Sequence, residues 1–192
     1  MDKSELILNG DGSVYHLKLK PENLSSKIIL VGDQFRVDKI TKHFEKIEFK
    51  VQNREFKSVT GYYNSNRITV ISTGIGSGNI DIVLNELDAL VNINLNTGEL
   101  NKSLKKLELI RIGTSGAIQN DIPVDSFLIS KMAIDVDGFL LNYDLANIDN
   151  TKFNNHIYKE HQIEDDMYCY KCSEELFNKF NSSDIKSGIT IT

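Results

Sequence analysis

The chain has 192 residues, with 22 Lys and Arg against 27 Asp and Glu, and its formal net charge is -5. Since neither sign forms a long run, the composition argues against a nucleic-acid partner and against an anionic membrane surface. Two cysteines are too few for a disulfide framework, the first twenty residues carry charges throughout, and no apolar run is as long as a membrane helix. We therefore expect a cytoplasmic protein. Its length fits one domain over residues 1–192, which we expect to bind a small molecule or a protein.

The first predicted elements are a strand, a tight turn and a helix. Residues 27–32, KIILVG, form a short apolar run closed by glycine, which is typical of a buried strand. Val37, Ile40, Phe44 and Ile47 then recur at spacings of three and four, which predicts one helix face. Three strand-like runs follow, IEFKVQ, EFKSVTGYY and RITVIST, and the turn signal NSN between the last two predicts a meander or hairpin.

A second amphipathic helix is predicted after the glycine-rich segment STGIGSGN, with glycines and Asn79 marking its start. Its apolar positions are Ile80, Val83, Leu84, Leu87 and Val91. The polar segment NINLNTGELNKSLKK predicts a surface excursion, and LELIRIG and DSFLISKMAI predict two further strands.

The last part of the chain has weaker patterns. Residues 135–166 are rich in acids and asparagines and predict loops, SEELFNKF predicts a short helix capped by Ser173, and SGITIT predicts a closing strand. Because strands alternate with helices, the sequence predicts an α/β domain with a largely parallel or mixed sheet.

Three glycine-bearing turns, VGDQFR, STGIGSGN and RIGTSG, each follow a predicted strand. In an open α/β sheet, ligands bind in a crevice at such strand ends. Glycine lets backbone N–H groups approach an anion, and a following helix start adds partial positive charge. Arg36 and Arg111 can hold anionic oxygens bidentately, and the Thr114 hydroxyl adds a donor. The turns therefore predict an oxyanion site.

Other interpretations of these glycines are weaker. Any one glycine after a strand is an ordinary turn residue, and only the combination of three turns with two arginines favours the oxyanion site. The chain contains no Walker A pattern, and GIGSG lacks the third glycine of the dinucleotide-binding fingerprint.

The segment CYKC gives Cys169 and Cys172 the spacing of a metal or redox pair, and His156 and His161 lie upstream. Their order and spacing match no common zinc pattern, and a second CxxC is missing. We therefore favour two structural thiols over a zinc site. His43 falls on the polar side of the first predicted helix and is expected at the surface.

The motifs VGDQFRVDKI, NREF, TGYY, ITVISTGIGSGN, VLNELDAL and RIGTSGAIQNDIPVDSFLIS resemble, in this order, those of the nucleoside phosphorylases, and GTSGAIQ is nearest the uridine phosphorylase branch. The resemblance runs from Tyr15 to the end of the chain and is weakest over residues 92–106 and 135–186. It implies the phosphorylase/hydrolase-like fold, a mixed central sheet flanked by helices, and assembly as a homodimer, often within a hexamer. It also implies that inorganic phosphate, the co-substrate in a reaction without a cofactor, converts a nucleoside to ribose 1-phosphate and free base.

The same resemblance implies a set of site residues. The implied phosphate-binding positions are Gly32, Arg36, Arg54, Arg111 and Thr114. Of these, Arg54 is lent by the neighbouring subunit, and Arg111 and Thr114 are the candidate catalytic residues. The implied nucleoside-binding positions are His16, which crosses the dimer interface to the sugar 5′-hydroxyl, and Ser115 and Gly116.

A structural potassium ion is a further implication at Glu55 and Ile75. Asn79 stands where uridine phosphorylases have a serine, so potassium at Glu55, Ile75 and Asn79 is a weak prediction, and we predict no other metal. In the family, the strand matching GITIT is followed by segments that contact the base and the ribose, and the 192 residues do not include them.

We therefore expect a uridine phosphorylase-like enzyme whose 192-residue chain has the phosphate half of the site and is inactive alone. The alternatives are a purine nucleoside phosphorylase or a nucleosidase of the same fold, which uses water, and a truncated non-catalytic module that binds phosphate and dimerises.

Overall fold

The computed structural model describes residues 6–136, 143 and 168–191. The chain forms two compact units, residues 1–115 and 116–192. The strands of the first unit are β1 (Lys27–Val31), β2 (Lys46–Asn53), β3 (Phe56–Tyr63), β4 (Asn66–Ser72), β5 (Ile93–Asn94), β6 (Glu99–Leu100) and β7 (Glu108–Ile112). Its helices are a 3-10 turn (Pro21–Asn23), α1 (Gln34–Thr41) and α2 (Ser77–Asn92).

A mixed five-stranded sheet organises the first unit in the order β2-β3-β4-β1-β7. Strands β2, β3 and β4 form the predicted antiparallel meander, and β1 runs parallel to both β4 and β7. The β3–β4 turn uses Asn64 and Ser65 at φ 47 and 62, values that asparagine tolerates better than most residues. The predicted α/β fold with a mixed central sheet is confirmed.

Strand β1 is covered on both faces, which explains its continuous apolar sequence. Ile28 and Leu30 belong to a buried cluster that includes residues of α2 and of the N-terminal segment. Val31, which alternation directs to the opposite face, packs in a second cluster with Val37 of α1. Each such buried side chain contributes about 1.5–3 kcal/mol relative to an exposed one.

Helix α1 is shorter than its apolar spacing predicts. The helix ends at Thr41, and a turn follows in which the Phe44 N–H donates to the Thr41 carbonyl at 3.0 Å. Phe44 still packs beside Val37, but Ile47 lies in β2 and is 51% exposed. Gly61 of β3 makes the turn possible, because a β-carbon there would overlap the Lys46 carbonyl and the Phe44 ring. The prediction that Phe44 and Ile47 extend the helix was therefore wrong.

Helix α2 begins with Gly76 as its N-cap, and Asn79 is the third helical residue rather than the cap. The polar excursion after the helix contains the short β5–β6 hairpin. Asn92, the last residue of the helix, is hydrogen-bonded to the end of this polar segment. Its amide oxygen accepts from the Lys105 N–H at 2.7 Å, and its amide nitrogen donates to the Lys105 carbonyl at 3.2 Å.

The second unit contains β8 (Leu128–Asp135), β9 (Tyr168–Lys171), α3 (Glu174–Phe180) and β10 (Lys186–Ile191). Strand β10 is parallel to β8, and β9 is antiparallel to it. Ser173 caps α3 as predicted, its hydroxyl accepting from the Leu176 N–H at 3.4 Å. Strand β9 was not predicted. Across residues 6–136 and 168–191, every helix is too short or too polar to cross a bilayer.

Candidate functional site

The three glycine-bearing turns lie at one edge of the central sheet. Strands β4, β1 and β7 are adjacent and parallel, and Val31 is paired with both Ser72 and Ile112. Consequently Gly32, Thr73 and Gly113, which follow these three residues, leave the sheet side by side at the carboxyl edge. The Thr73 N–H also donates to the Val31 carbonyl at 2.8 Å, which joins the first two turns.

This edge is a topological switch point. The chain leaves β1, passes through α1, β2 and β3, and returns as β4 on one side of β1. It then passes through α2 and returns as β7 on the other side. Connections that depart in opposite directions open a crevice at the carboxyl ends of the strands, where ligands of α/β proteins bind. The topology therefore predicts a binding crevice where the sequence has its glycine turns.

Two predicted phosphate ligands flank the turns. Arg111 is the penultimate residue of β7, opposite Leu30 of β1, and Arg36 lies in the first turn of α1. Among the described residues, neither guanidinium group has a hydrogen bond or an ion pair with another side chain or with the backbone. Arg111 and Thr114 are exposed, and Arg36 is half-buried. The edge thus carries cationic donors that remain available to an anion.

The N-terminus of α1 is partly satisfied by its own cap. The Asp33 carboxylate accepts from the Phe35 N–H at 2.9 Å. By contrast, Gly76 caps α2 at φ 98 without a side-chain hydrogen bond, so the first amides of α2 have no side-chain acceptor at the cap. Because the partial positive charge of a helix start resides on such amides, α2 contributes more of it than α1 does.

His16 and Arg54 lie together on another part of the first unit. Arg54 occupies the β2–β3 turn at φ 54, and the Gln34 amide donates to its carbonyl at 2.6 Å. The neighbouring Asn53 amide donates to the His16 carbonyl at 2.8 Å. The two residues expected to act across a subunit interface are therefore held by the same hairpin.

The His16 side chain is fixed from three directions. Its Nδ1 is 2.7 Å from Oε1 of Glu86, and its ring meets the rings of Tyr15 and Phe56 edge-on, with centroids 4.9 and 6.1 Å away. The imidazole is 26% exposed, whereas the Glu86 side chain is 8% exposed. One side of the ring thus faces outward while the other is anchored to a buried carboxylate.

Sequence reasoning missed Glu86. The residue lies within VLNELDAL, three residues after Val83 and four before Leu90, and both of these are buried core residues. A carboxylate on the apolar face of an amphipathic helix needs buried hydrogen-bond donors. The position of Glu86 on that face could therefore have indicated a buried, hydrogen-bonded carboxylate.

A lysine and an aspartate join α1 to the sheet. Nζ of the buried Lys57, in β3, donates to the Asp38 carboxylate of α1 at 2.5 Å. This hydrogen bond holds the pKa of Asp38 below its usual value, with smaller contributions from the charges of Lys57 and Lys50, while partial burial opposes the shift. The pair steadies the helix that carries Arg36.

The three positions of the potassium prediction surround Gly74. A β-carbon on Gly74 would lie 2.7 Å from Nδ2 of Asn79 and 2.8 Å from Cγ of Glu55, so only glycine lets both side chains approach. Asn79 Nδ2 donates to the Ile75 carbonyl at 3.1 Å. The carbonyl thus already accepts a hydrogen bond, and potassium binding stays a prediction.

The remaining predicted residues follow Thr114 in the chain. Ser115 and Gly116 are exposed and stand at the end of the first unit and the start of the second. Cys172 is an exposed free thiol, and His156 and His161 lie outside the described residues. Within residues 6–136 and 168–191, no three His, Cys, Asp or Glu side chains are grouped as a metal site requires.

Comparison with known proteins identifies relatives of this arrangement. The family model described as Phosphorylase superfamily matches residues 26–192. A uridine phosphorylase of Thermococcus kodakarensis is 32% identical over 133 residues, which are 69% of this chain and 43% of the relative. A uridine phosphorylase of Haemophilus influenzae is 35% identical over 127 residues, 65% of this chain and 45% of the relative.

Among solved structures, a Trypanosoma brucei nucleoside phosphorylase described as showing uridine phosphorylase activity has a TM-score of 0.78 at 28% identity, covering 97% of this chain and 67% of that chain. Other relatives are named guanosine phosphorylase and purine nucleoside phosphorylase. The chain spans about half the length of the curated relatives that it matches.

Proposed function

The chain belongs to the phosphorylase superfamily, and from that premise we propose that it is a nucleoside phosphorylase of the uridine phosphorylase type. Its substrates are a nucleoside and inorganic phosphate, and its products are ribose 1-phosphate and a free base. The observation that carries the proposal is the convergence of the turns after β1, β4 and β7, with Arg36 and Arg111 beside them.

The proposed chemistry needs no nucleophilic side chain. A phosphate oxygen attacks the anomeric carbon as the bond to the base nitrogen breaks. The base leaves with the bonding electrons and takes up the proton that hydrogen phosphate gives up as it becomes the sugar phosphate. Phosphate is already an anionic nucleophile, so the protein supplies orientation and charge. Arg36 and Arg111 hold phosphate bidentately, the Thr114 hydroxyl and the backbone at Gly32 complete its contacts, and the held anion stabilises the positive charge that develops on the sugar.

Self-association is part of the proposal. His16 and Arg54 serve the site of a neighbouring copy, with Arg54 adding a third guanidinium to the phosphate and His16 binding the sugar 5′-hydroxyl. Asn53 donates to the His16 carbonyl, and Arg54 follows Asn53 in the β2–β3 turn. This supports the proposal, because a single subunit interface at the hairpin can then place both His16 and Arg54 in the neighbouring site. Three further parts of the proposal do not depend on self-association. Ser115 and Gly116 lie beside the nucleoside, and residues 1–192 act as one domain. The protein is cytoplasmic, and the exposed free thiol of Cys172 suits that reducing compartment.

The test is release of uracil from uridine with and without phosphate, with inosine assayed in parallel. Uracil release that requires phosphate supports the proposal, and preference for inosine moves the assignment to the purine branch that some relatives represent. Release without phosphate shows a nucleosidase. We expect residues 1–192 alone to be inactive, so the assay uses a complete-length enzyme. Phosphate binding by that enzyme without turnover of either nucleoside favours a non-catalytic module and contradicts the proposed activity.

A further inference from the structure

Glu86 is a buried carboxylate that the proposed chemistry does not use. The residue is 6% exposed and lies on the face of α2 that otherwise buries Val83, Leu87 and Leu90. A carboxylate in such surroundings is costly unless hydrogen-bond donors satisfy both of its oxygens.

The donors to Glu86 come from two consecutive residues of the N-terminal segment. Oε1 accepts from the His16 backbone N–H at 2.9 Å and lies 2.7 Å from His16 Nδ1. Oε2 accepts from the Leu17 N–H at 2.8 Å and is 3.2 Å from the His16 backbone nitrogen. Two oxygens therefore fix the backbone at residues 16 and 17 and one nitrogen of the imidazole.

We propose that Glu86 is a positioning residue that keeps the neutral His16 imidazole in the tautomer with its hydrogen on Nδ1, so that Nε2 faces outward as a hydrogen-bond acceptor for the substrate 5′-hydroxyl. An ionised carboxylate only accepts hydrogen bonds, so the nitrogen 2.7 Å from it carries the hydrogen. In a neutral imidazole the other nitrogen is then bare. The 5′-hydroxyl part of this inference rests on the proposed function; the tautomer does not.

The surroundings of the ring keep Nε2 in place. Among the described residues, Nε2 of His16 has no hydrogen-bond partner, so it remains open to a ligand. Tyr15 and Phe56 meet the ring at interplanar angles of 90° and 73°, and the Asn53 amide holds the His16 carbonyl. Rotation of the ring to exchange its nitrogens would break the bond to Glu86 and disturb both aromatic contacts.

The experiment reads the tautomer directly. Long-range proton–nitrogen NMR spectra of the ¹⁵N-labelled 192-residue chain are recorded at about pH 8.5, roughly two units above the ordinary pKa of histidine. His16→Gln assigns the signals, and the exposed His43 is an internal reference. We expect a protonated Nδ1 and an unprotonated Nε2 in His16. A wild-type His16 with its hydrogen on Nε2 overturns the proposal without any variant.

Glu86→Gln then tests the cause. The carboxamide has one acceptor oxygen and an NH₂ donor, so the ring gains a donor that favours hydrogen on Nε2. We expect the His16 signals to move toward that tautomer in Glu86→Gln and to keep the wild-type pattern in Glu86→Asp. The matched control is Asp88→Asn, which neutralises an exposed carboxylate on the same helix. An unchanged tautomer in a folded Glu86→Gln chain contradicts the inference; if that variant fails to fold, the wild-type tautomer decides.

A kinetic comparison links the tautomer to the substrate. Where uridine phosphorolysis is established, Glu86→Gln should lower kcat/KM for uridine about tenfold and that for 5′-deoxyuridine less, because only uridine donates to Nε2. Equal losses for both substrates contradict the 5′-hydroxyl role. If a complete-length enzyme does not turn over uridine, the proposed function fails while the NMR result still decides the tautomer.

Discussion

The guanidinium group of Arg111 lies over the backbone of Gly113, with Nη1 2.7 Å from the position that a β-carbon on Gly113 would occupy. The arginine is the penultimate residue of β7 and the glycine begins the turn that follows the strand, so the absence of a side chain at residue 113 leaves room for the cation. Because the Arg111 guanidinium occupies this room without pairing with a carboxylate of the described residues, all its hydrogen-bond donors are available to an anion.

The first prediction concerns the charge of this group. Replacing Arg111 by Ala should weaken phosphate binding by about 1.5–3 kcal/mol, the range of a charge-assisted hydrogen bond, with the fold intact. Titration calorimetry with inorganic phosphate measures the change. The control is Lys42→Ala, which removes an exposed cation at the C-terminal end of α1, whereas Arg36 lies near the N-terminal end. Unchanged phosphate affinity in Arg111→Ala would contradict the site.

The second prediction concerns the space above Gly113. In Gly113→Ala the new methyl group displaces the flexible end of Arg111, so the free energy of unfolding should change by less than about 0.5 kcal/mol while phosphate affinity falls. Gly10→Ala is the matched control, because a β-carbon there meets nothing within 4 Å. Equal phosphate affinities of wild type and Gly113→Ala would show that the guanidinium position does not matter.

Much of this edge follows from sequence because strands and turns are local. The apolar runs that became β1, β4 and β7 and the glycines after them are each visible within a few residues, and parallel pairing brings their ends together. The end of α1 was missed because Phe44 remains in the core across a turn, which periodicity cannot distinguish from a continuing helix.

Contacts between distant residues escaped prediction for a different reason. Glu86 and His16 are separated by 70 positions, and only the tertiary fold shows that the helix buries a carboxylate beneath the N-terminal segment. The approach of Glu55 and Asn79 to Gly74 also joins distant elements, and only the family resemblance, not a local pattern, had grouped these residues with Ile75. Local sequence patterns carry no information on such encounters.

The third prediction compares two glycines of one segment. Gly74 has φ +71 and no room for a β-carbon, so Gly74→Ala should lower the free energy of unfolding by about 1–3 kcal/mol. Gly78 lies in the first turn of α2 with nothing within 4 Å of its β-carbon position, so Gly78→Ala should stabilise by up to about 1 kcal/mol. Urea denaturation of both variants measures the difference, and destabilisation by Gly78→Ala as large as by Gly74→Ala would contradict this account.

The fourth prediction concerns pH and the Asp38–Lys57 pair. The folded-state pKa of Asp38 is lowered, chiefly by its hydrogen bond to Lys57, so the stabilisation is fully present above the unfolded-state pKa and is lost as pH falls through the folded-state value. Because the carboxylate is 49% exposed, we expect Asp38→Asn to cost only about 1 kcal/mol at pH 7.

The measurement is urea denaturation of wild type and Asp38→Asn at several pH values. Their difference in free energy of unfolding should shrink as the pH falls below about 3.9, the ordinary pKa of an aspartate. Lys50→Gln, which removes the more distant cation at 3.8 Å, should have a smaller effect at pH 7. A difference that stays constant or grows on acidification would show that Asp38 is not held by Lys57 in its ionised form.

The last prediction concerns the assembly that places His16 and Arg54 in a neighbour's site. If each site combines Arg111 of one subunit with Arg54 of the other, Arg54→Ala and Arg111→Ala homodimers of a complete-length enzyme are both inactive. A mixed dimer nevertheless contains one site with both native arginines. Random mixing makes half of the dimers mixed, with one of their two sites intact, so about one quarter of wild-type activity should return.

The control is Arg54→Ala mixed with the Arg54→Ala, Arg111→Ala double variant, since no site in that mixed dimer contains both arginines. Uridine phosphorolysis measures the regain, and sedimentation of differently tagged subunits establishes that they have exchanged. The surface around the β2–β3 hairpin, where Asn53 joins Arg54 to His16, is the expected contact. A monomer in sedimentation, or no regain after proven exchange, would mean that Arg54 acts within its own subunit or not at all.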